Sequence, residues 1–119
     1  MPRRGDDFTG GGYVPGRGDV VHLNWTPSVG HELTGPHYGL VLSQDAYNLG
    51  TGLVMVSPIT SKIGKLSGFE LPIQVGRVNG AVILSEIRTL DYQARRVEYE
   101  DRASPDLVAE AIRRIRLVL

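Results

Sequence analysis

The chain has 119 residues, no cysteine, and 13 basic against 13 acidic side chains. One domain of about 100–150 residues accounts for this length, and the lack of cysteine excludes a disulfide scaffold, a zinc ribbon and a cysteine nucleophile. The balanced charge gives no strong long-range attraction to nucleic acid or an anionic membrane, although opposite local biases still permit contacts with individual phosphates. The 15 glycines indicate many turns, and therefore many short strands.

Residues 1–12 are polar and glycine-rich, which predicts a disordered N-terminal tail before a single domain at residues 13–119. They lack the apolar run of a signal peptide, and no later segment reaches the roughly 18 apolar residues that span a bilayer. With no export signal and no cysteine, the chain is expected in the cytoplasm and without a membrane partner.

Short apolar or alternating segments follow in chain order and predict strands at residues 19–25, 38–43, 53–59, 69–75, 81–84, 87–91 and 96–99. Residues 44–49 favour one helical turn. Pro58 predicts the end of the third strand, and Pro72 predicts that the fourth strand lies at a sheet edge.

The first strand alternates in character along its length. Val21, Leu23 and Trp25 share one face at a period of two residues, which predicts a strand with one buried side and Trp25 in the core. His22 then falls on the polar side and is expected at the surface.

The C-terminal segment has helical features. Ser104 is a typical N-cap, Pro105 suits the first helical position, and Asp106 places an acid in the first turn. Apolar residues then recur at helical spacing, namely Val108, Ala111, Ile112, Ile115, Val118 and Leu119. The chain is therefore predicted to be mainly β, a small barrel of about six or seven short strands closed by a C-terminal α-helix.

Two histidines, His31 and His37, lie in one loop bounded by glycine and proline. Imidazoles can serve as acid and base near neutral pH, but loop histidines can equally be solvated, and the spacing leaves both interpretations open. Their separation is not typical of a zinc site, and no cysteine completes one.

Thr60, Ser61 and Lys62 stand where the third strand enters a loop, so their hydroxyls and amine can contact phosphate oxygens. Arg88 lies within a short strand, where a structural ion pair with a neighbouring carboxylate, Glu86 or Asp91, is the favoured interpretation.

A series of short motifs occurs in a recognisable order: Gly18-Asp19-Val20-Val21 before Pro27, Gly30-His31-Glu32 before Gly35, Leu40-Val41-Leu42-Ser43 before Asn48, Pro58-Ile59-Thr60-Ser61, and Ile87-Arg88-Thr89-Leu90-Asp91. With the closing helix, they resemble the MazF/PemK family of toxin endoribonucleases from type II toxin–antitoxin pairs. The resemblance runs from about Tyr13 to Leu119.

The resemblance implies a small SH3-like β-barrel that forms a homodimer, with single-stranded RNA in a groove along the dimer. It implies metal-independent, sequence-specific cleavage, without a cofactor, in which the ribose 2′-OH attacks the adjacent phosphate. The products are 2′,3′-cyclic phosphate and 5′-OH ends. A cognate MazE/PemI-like antitoxin would lie over the RNA groove.

The resemblance also assigns residues. Thr60 corresponds to a threonine that helps to hold the scissile phosphate, Ser61 to the hydroxyl beside it, and His31 to a loop histidine of some members. His37 stands where many members have a catalytic arginine, and Tyr38 stands where proline follows. The implied catalytic residues are His37 and Thr60, and the implied RNA contacts are His31, Glu32, Tyr38, Ser61, Lys62, Lys65 and Arg88.

The exchange of arginine for His37 leaves two alternatives. Either His37 takes the acid–base role, with Lys62, Lys65 or Arg88 stabilising phosphate charge, or the site is weakened. A non-catalytic binding or regulatory module and a DNA gyrase inhibitor on the same fold are the competing functions. Base preference is expected to depend on loops 31–37 and 61–68.

Overall fold

The computed structural model describes residues 12–30, 33–62 and 69–119. Its elements in chain order are β1 (Asp19–Asn24), β2 (Pro36–Val41), α1 (Asp45–Thr51), β3 (Leu53–Thr60), β4 (Glu70–Val75), β5 (Val78–Ile83), a 3₁₀ turn (Leu84–Glu86), β6 (Arg88–Asp91), β7 (Glu98–Arg102) and α2 (Pro105–Arg116). The predicted mainly β fold with a C-terminal helix is confirmed. The tail prediction falls, except for Gly12, outside the described residues.

The strands form one antiparallel sheet in the order β4-β5-β3-β2-β1-β7, and β6 also pairs with β3. The first half of β3, Leu53 to Val56, pairs with β6, whereas Ile59 and Thr60 pair with β5. Pro58 lies between the part of β3 that pairs with β6 and the part that pairs with β5. Its lack of an N–H therefore interrupts neither of these two pairings. The prediction that β3 ends at Pro58 is therefore wrong, because the strand continues to Thr60.

The sheet curls until its two ends meet. Strand β4 lies at one end of the order, as Pro72 predicted, and the turn between β4 and β5 reaches β7. There the Arg77 guanidinium donates to both carboxylate oxygens of Glu100, at 2.8 and 2.9 Å. Gly76 has a positive φ of 54°, and a Cβ at this position would overlap the Asp101 carboxylate. These contacts bring the two ends of the sheet together, and the curled sheet forms a half-barrel.

The first half of strand β1 is buried on both faces, so the prediction of one buried side is wrong there. Val21, Leu23 and Trp25 belong to one core cluster, as expected, but Val20 on the opposite face is also fully buried. It belongs to a second cluster that helix α2 covers through Val108. The second face is buried because of a helix far along the chain, which the pattern of β1 does not reveal.

Helix α2 begins as its sequence predicts. The Ser104 hydroxyl accepts a hydrogen bond from the Leu107 N–H at 3.2 Å, and Pro105 occupies the first turn. The helix is shorter than its apolar pattern implies, because it ends at Arg116. Leu119, expected on the apolar face, is therefore 94% exposed.

A buried asparagine joins the N-terminal segment to the short helix α1. Asn48 is fully buried; its amide donates to the carbonyls of Pro15 at 2.7 Å and Ser43 at 3.2 Å, and its carbonyl oxygen accepts from the Ser43 hydroxyl at 2.5 Å. Tyr92 donates to the backbone carbonyl of Asn48 at 2.9 Å. The serine and asparagine of the third motif thus have a structural role.

The surface of α2 leads to a pH prediction. Hydrogen bonds from Arg113 and Arg114, at 2.7–3.0 Å, lower the pKa of Glu110 from 4.5 to about 2. A lowered pKa in the folded state stabilises it above the unfolded value, and this contribution is lost as pH falls from 4.5 toward 2. We expect Glu110→Gln to have a lower Tm than the unmodified chain at pH 7, and the two Tm values to converge near pH 2.

Thermal unfolding followed by circular dichroism at pH 7, 4 and 2 would measure this difference. Glu98→Gln is a matched control, because Glu98 is exposed on β7 and forms no ion pair with another described residue. A Tm difference for Glu110→Gln that stays constant down to pH 2 would contradict the prediction.

Candidate functional site

The pairing of β2 with β3 brings the two predicted catalytic residues together. Tyr38 pairs with Ile59 and Gly39 with Pro58, and His37 and Thr60 are the residues next to the Tyr38–Ile59 pair in β2 and β3. Because side chains alternate across a strand, His37 and Thr60 lie on one face of the sheet.

Thr60 is held firmly at the end of β3. It is 8% exposed, and its hydroxyl accepts the Lys62 N–H at 3.1 Å, which turns the chain after the strand. The next two residues, Ser61 and Lys62, are exposed. A protected threonine is thus followed by a hydroxyl and an ammonium group that face solvent.

Gly80 on β5 sets the position of Thr60. A Cβ at Gly80 would overlap the Thr60 carbonyl oxygen and would lie 3.0 Å from its carbonyl carbon and 3.4 Å from the Ser61 Cα. Only glycine allows β5 to approach the end of β3 this closely. Sequence analysis did not identify Gly80, because its requirement arises from a contact between strands.

The backbone of His37 is fixed by the core beneath it. The Trp25 indole donates to the His37 carbonyl at 3.3 Å. Trp25 fits there because Gly39 has no side chain, since a Cβ would lie 2.8 Å from the Trp25 ring and 2.7 Å from a Val56 methyl. His37 itself is half-buried. Its backbone position is set by the packing of Trp25 against Gly39.

A pocket of about 300 Å³ opens beside this pair and is lined by His22, Pro36, His37, Tyr38, Ile59, Ser61, Arg77, Val78 and Asn79. His22 pairs with Tyr38 across β1 and β2, and their rings meet edge to face with centroids 5.1 Å apart. The prediction that His22 lies at the surface is wrong, because His22 is half-buried. The structure thus adds His22, Arg77 and Asn79 to the surroundings of the predicted site.

The Arg77–Glu100 pair controls the electrostatics at the rim of this pocket. The hydrogen bonds to Glu100 raise the pKa of the Arg77 guanidinium, with a smaller contribution from Tyr38. Arg77 in turn lowers the pKa of Glu100 against the opposing effect of burial, and His22 contributes in the same direction as Arg77. Glu100 therefore compensates much of the positive charge of Arg77.

Arg88 supports the loop between β1 and β2. Its guanidinium donates to the carbonyls of Trp25 at 2.6 Å and Pro27 at 2.9 Å, contacts the Ser28 hydroxyl at 3.3 Å, and lies 5.9 Å from the centre of the Trp25 ring. These bonds occupy much of its capacity to donate hydrogen bonds. Its role as an RNA contact stays a prediction.

The predicted ion pair of Arg88 is wrong for the residues that the structure describes. Glu86 accepts the Leu33 N–H at 3.0 Å, and Asp91 accepts the backbone N–H groups of the turn that follows it. The partners of Arg88 are oxygens of the β1–β2 loop because β6 begins beside that loop.

Three of the predicted RNA contacts, His31, Glu32 and Lys65, lie outside the described residues. Among residues 12–30, 33–62 and 69–119, no cluster of three or more His, Asp or Glu side chains is arranged to hold a metal ion. No helix in the same part of the chain is both long and apolar enough to cross a membrane.

The sequence profile described as the PemK-like, MazF-like toxin of type II toxin–antitoxin systems matches residues 16–119. The chain belongs to this family. The resemblance seen in the order of the motifs is confirmed.

Relatives in the family are named as endoribonucleases. Endoribonuclease toxin ChpB of Escherichia coli K12 is 34% identical over 108 residues, covering 87% of this chain and 92% of ChpB. Endoribonuclease PemK of Escherichia coli is 30% identical over 107 residues, covering 87% of this chain and 80% of PemK.

Solved structures agree with this assignment. MazF from Deinococcus radiodurans superposes with a TM-score of 0.82 at 39% identity, covering 89% of this chain and 96% of MazF. A MazE–MazF complex from the same organism matches with a TM-score of 0.75 at 34% identity, covering 89% and 95% of the respective chains. Both structures therefore share the fold of this chain.

Proposed function

We propose that this chain is the toxin of a toxin–antitoxin pair and a metal-independent, sequence-specific endoribonuclease that cleaves single-stranded RNA. The observation that carries the proposal is that His37 and Thr60 adjoin the Tyr38–Ile59 pair of β2 and β3 and that Thr60 precedes the exposed Ser61 and Lys62. The endoribonuclease relatives named above support it.

The proposed reaction begins with the ribose 2′-OH. His37 accepts its proton as O2′ forms a bond to the adjacent phosphorus, and the bond from phosphorus to O5′ then breaks. The products are a 2′,3′-cyclic phosphate and a 5′-OH end. The proton for O5′ comes from a second group; His31, outside the described residues, is the predicted residue whose imidazole suits this step.

The phosphate gains negative charge in the transition state, and donors beside Thr60 stabilise it. The Ser61 hydroxyl and the Lys62 ammonium group are exposed at the end of β3 and can reach phosphate oxygens as hydrogen-bond donors. The Thr60 hydroxyl holds the turn that presents them, through its bond to the Lys62 N–H.

We further propose a cytoplasmic homodimer whose RNA groove is covered by a MazE/PemI-like antitoxin when the toxin is inactive. The MazE–MazF complexes of Deinococcus radiodurans, whose toxin fold this chain shares, support the antitoxin partner. The local phosphate contacts described above then provide most of the affinity for RNA, since the chain has no net charge.

Incubating the purified protein with a long single-stranded RNA in EDTA, followed by mapping of 5′-OH ends, tests the function. We expect discrete cuts at a short motif. A matched RNA with a 2′-deoxynucleotide at the cut position should resist cleavage, because the attacking hydroxyl is missing. An absence of cuts at every concentration would favour a non-catalytic module, and inhibition of DNA supercoiling without RNA cleavage would favour a gyrase inhibitor.

A further inference from the structure

The pocket beside the catalytic pair has a composition that the proposed cleavage reaction does not require. The pocket is lined by Tyr38 and Ile59, which share one face of β2 and β3, and also by His37, which alternation places on the opposite face with Thr60. His22 adds a second ring from β1. Asn79 adds an exposed amide from β5, at a position next to the β4–β5 turn.

The charge of this pocket favours an uncharged ligand group over a phosphate. Arg77 carries the permanent positive charge of the described lining, but its guanidinium is bonded to both oxygens of Glu100. The Arg77 side chain is 76% exposed and the Glu100 side chain is 15% exposed, so the carboxylate is the more protected partner. A phosphate would need an uncompensated cation, which Lys62 outside the pocket provides more readily.

The size and walls of the pocket fit a planar group. Its volume of about 300 Å³ is at the lower end of the range of about 300–1,000 Å³ for small-molecule sites. The Tyr38 and His22 rings form an aromatic wall, and single-stranded RNA is commonly read by stacking a base on such rings. Asn79 and Ser61 provide both donors and acceptors, as the edge of a base requires.

We propose that this pocket binds one nucleobase of the RNA substrate, against Tyr38 and His22, and that Asn79 selects the base at that position. The inference rests on the proposed function. It assigns base selection to residues of β1 and β5, in addition to the two loops predicted from the sequence. Ser61 lines the pocket and is also one of the proposed phosphate donors. A base bound here is therefore adjacent to the scissile phosphate.

Mapping the cleavage motif of Asn79→Ala and His22→Leu tests the proposal. For Asn79→Ala we expect the preference at one position of the motif to weaken by about ten-fold, the effect of losing one or two hydrogen bonds to a base edge, while cutting continues. His22→Leu should weaken binding with less effect on preference. Gln93→Ala is the matched control, because this exposed amide lies outside the pocket. An unchanged motif in both pocket variants, with cleavage retained, would overturn the proposal and leave the nuclease function intact.

A binding experiment separates this inference from catalysis. Titration of the unmodified protein with adenosine, guanosine, cytidine and uridine, followed by NMR of the His22 and Tyr38 ring resonances, should show a shift with at least one nucleoside. Inorganic phosphate should not displace that nucleoside. Ring shifts caused by phosphate alone would identify a phosphate site and overturn the proposal. These results do not depend on whether the protein cleaves RNA.

Discussion

Replacing His37 by alanine is expected to reduce the rate of RNA cleavage by about 10²–10⁴-fold, the usual contribution of a positioned acid or base. The fold should survive, because the contact from His37 to Trp25 uses the backbone carbonyl and not the imidazole. Single-turnover cleavage of a short RNA measures the rate. Circular dichroism and size-exclusion chromatography show whether the variant remains folded and associated.

His37→Arg is the informative partner of this variant, since the family resemblance places an arginine at this position in many members. Imidazole changes its charge between pH 5 and 8, whereas guanidinium does not. Because a guanidinium stays protonated and cannot accept a proton, His37→Arg should cleave RNA more slowly than the unmodified protein if His37 is the base. Full activity in His37→Ala would exclude His37 as the catalytic base, and another residue would then have to accept the proton.

Gly80→Ala should impair cleavage without touching a reactive group. The added methyl would overlap the Thr60 carbonyl oxygen and would lie 3.4 Å from the Ser61 Cα, so the end of β3 must move. Overpacking of this kind costs about 1–3 kcal/mol of stability, and a displacement of about 1 Å at a catalytic site costs about 10²-fold in rate. Chemical denaturation and single-turnover cleavage measure the two effects.

Gly50→Ala is the matched control. Gly50 lies in α1, a Cβ there meets nothing within 4 Å, and alanine is favoured over glycine in helices by about 1 kcal/mol. This variant should be at least as stable as the unmodified protein and should cleave RNA at the same rate. If Gly80→Ala matches it in both respects, the close approach of β5 does not position Thr60.

Much of the fold could be predicted because it depends on local patterns. The alternation of Val21, Leu23 and Trp25 predicted their burial, and Ser104 with Pro105 predicted the start of α2 to the residue. The order of motifs identified the family, and with it the pairing of His37 with Thr60 as candidate catalytic residues. The catalytic role of these two residues stays a prediction; in the structure they adjoin the Tyr38–Ile59 pair of β2 and β3.

Other features depended on which segments meet in space. The burial of Val20 comes from α2, and the structural role of Arg88 comes from a loop more than sixty residues earlier in the chain.

By itself, the amino-acid sequence determined the strand periodicity, the helix cap, the family and the residues beside the proposed chemistry, because each of these is expressed in neighbouring residues. Only the tertiary structure decided that His22 joins Tyr38 in a pocket, that Glu100 offsets Arg77, and that Gly80 must remain small. The physical reason is that strand register and barrel closure bring together residues that no local pattern relates.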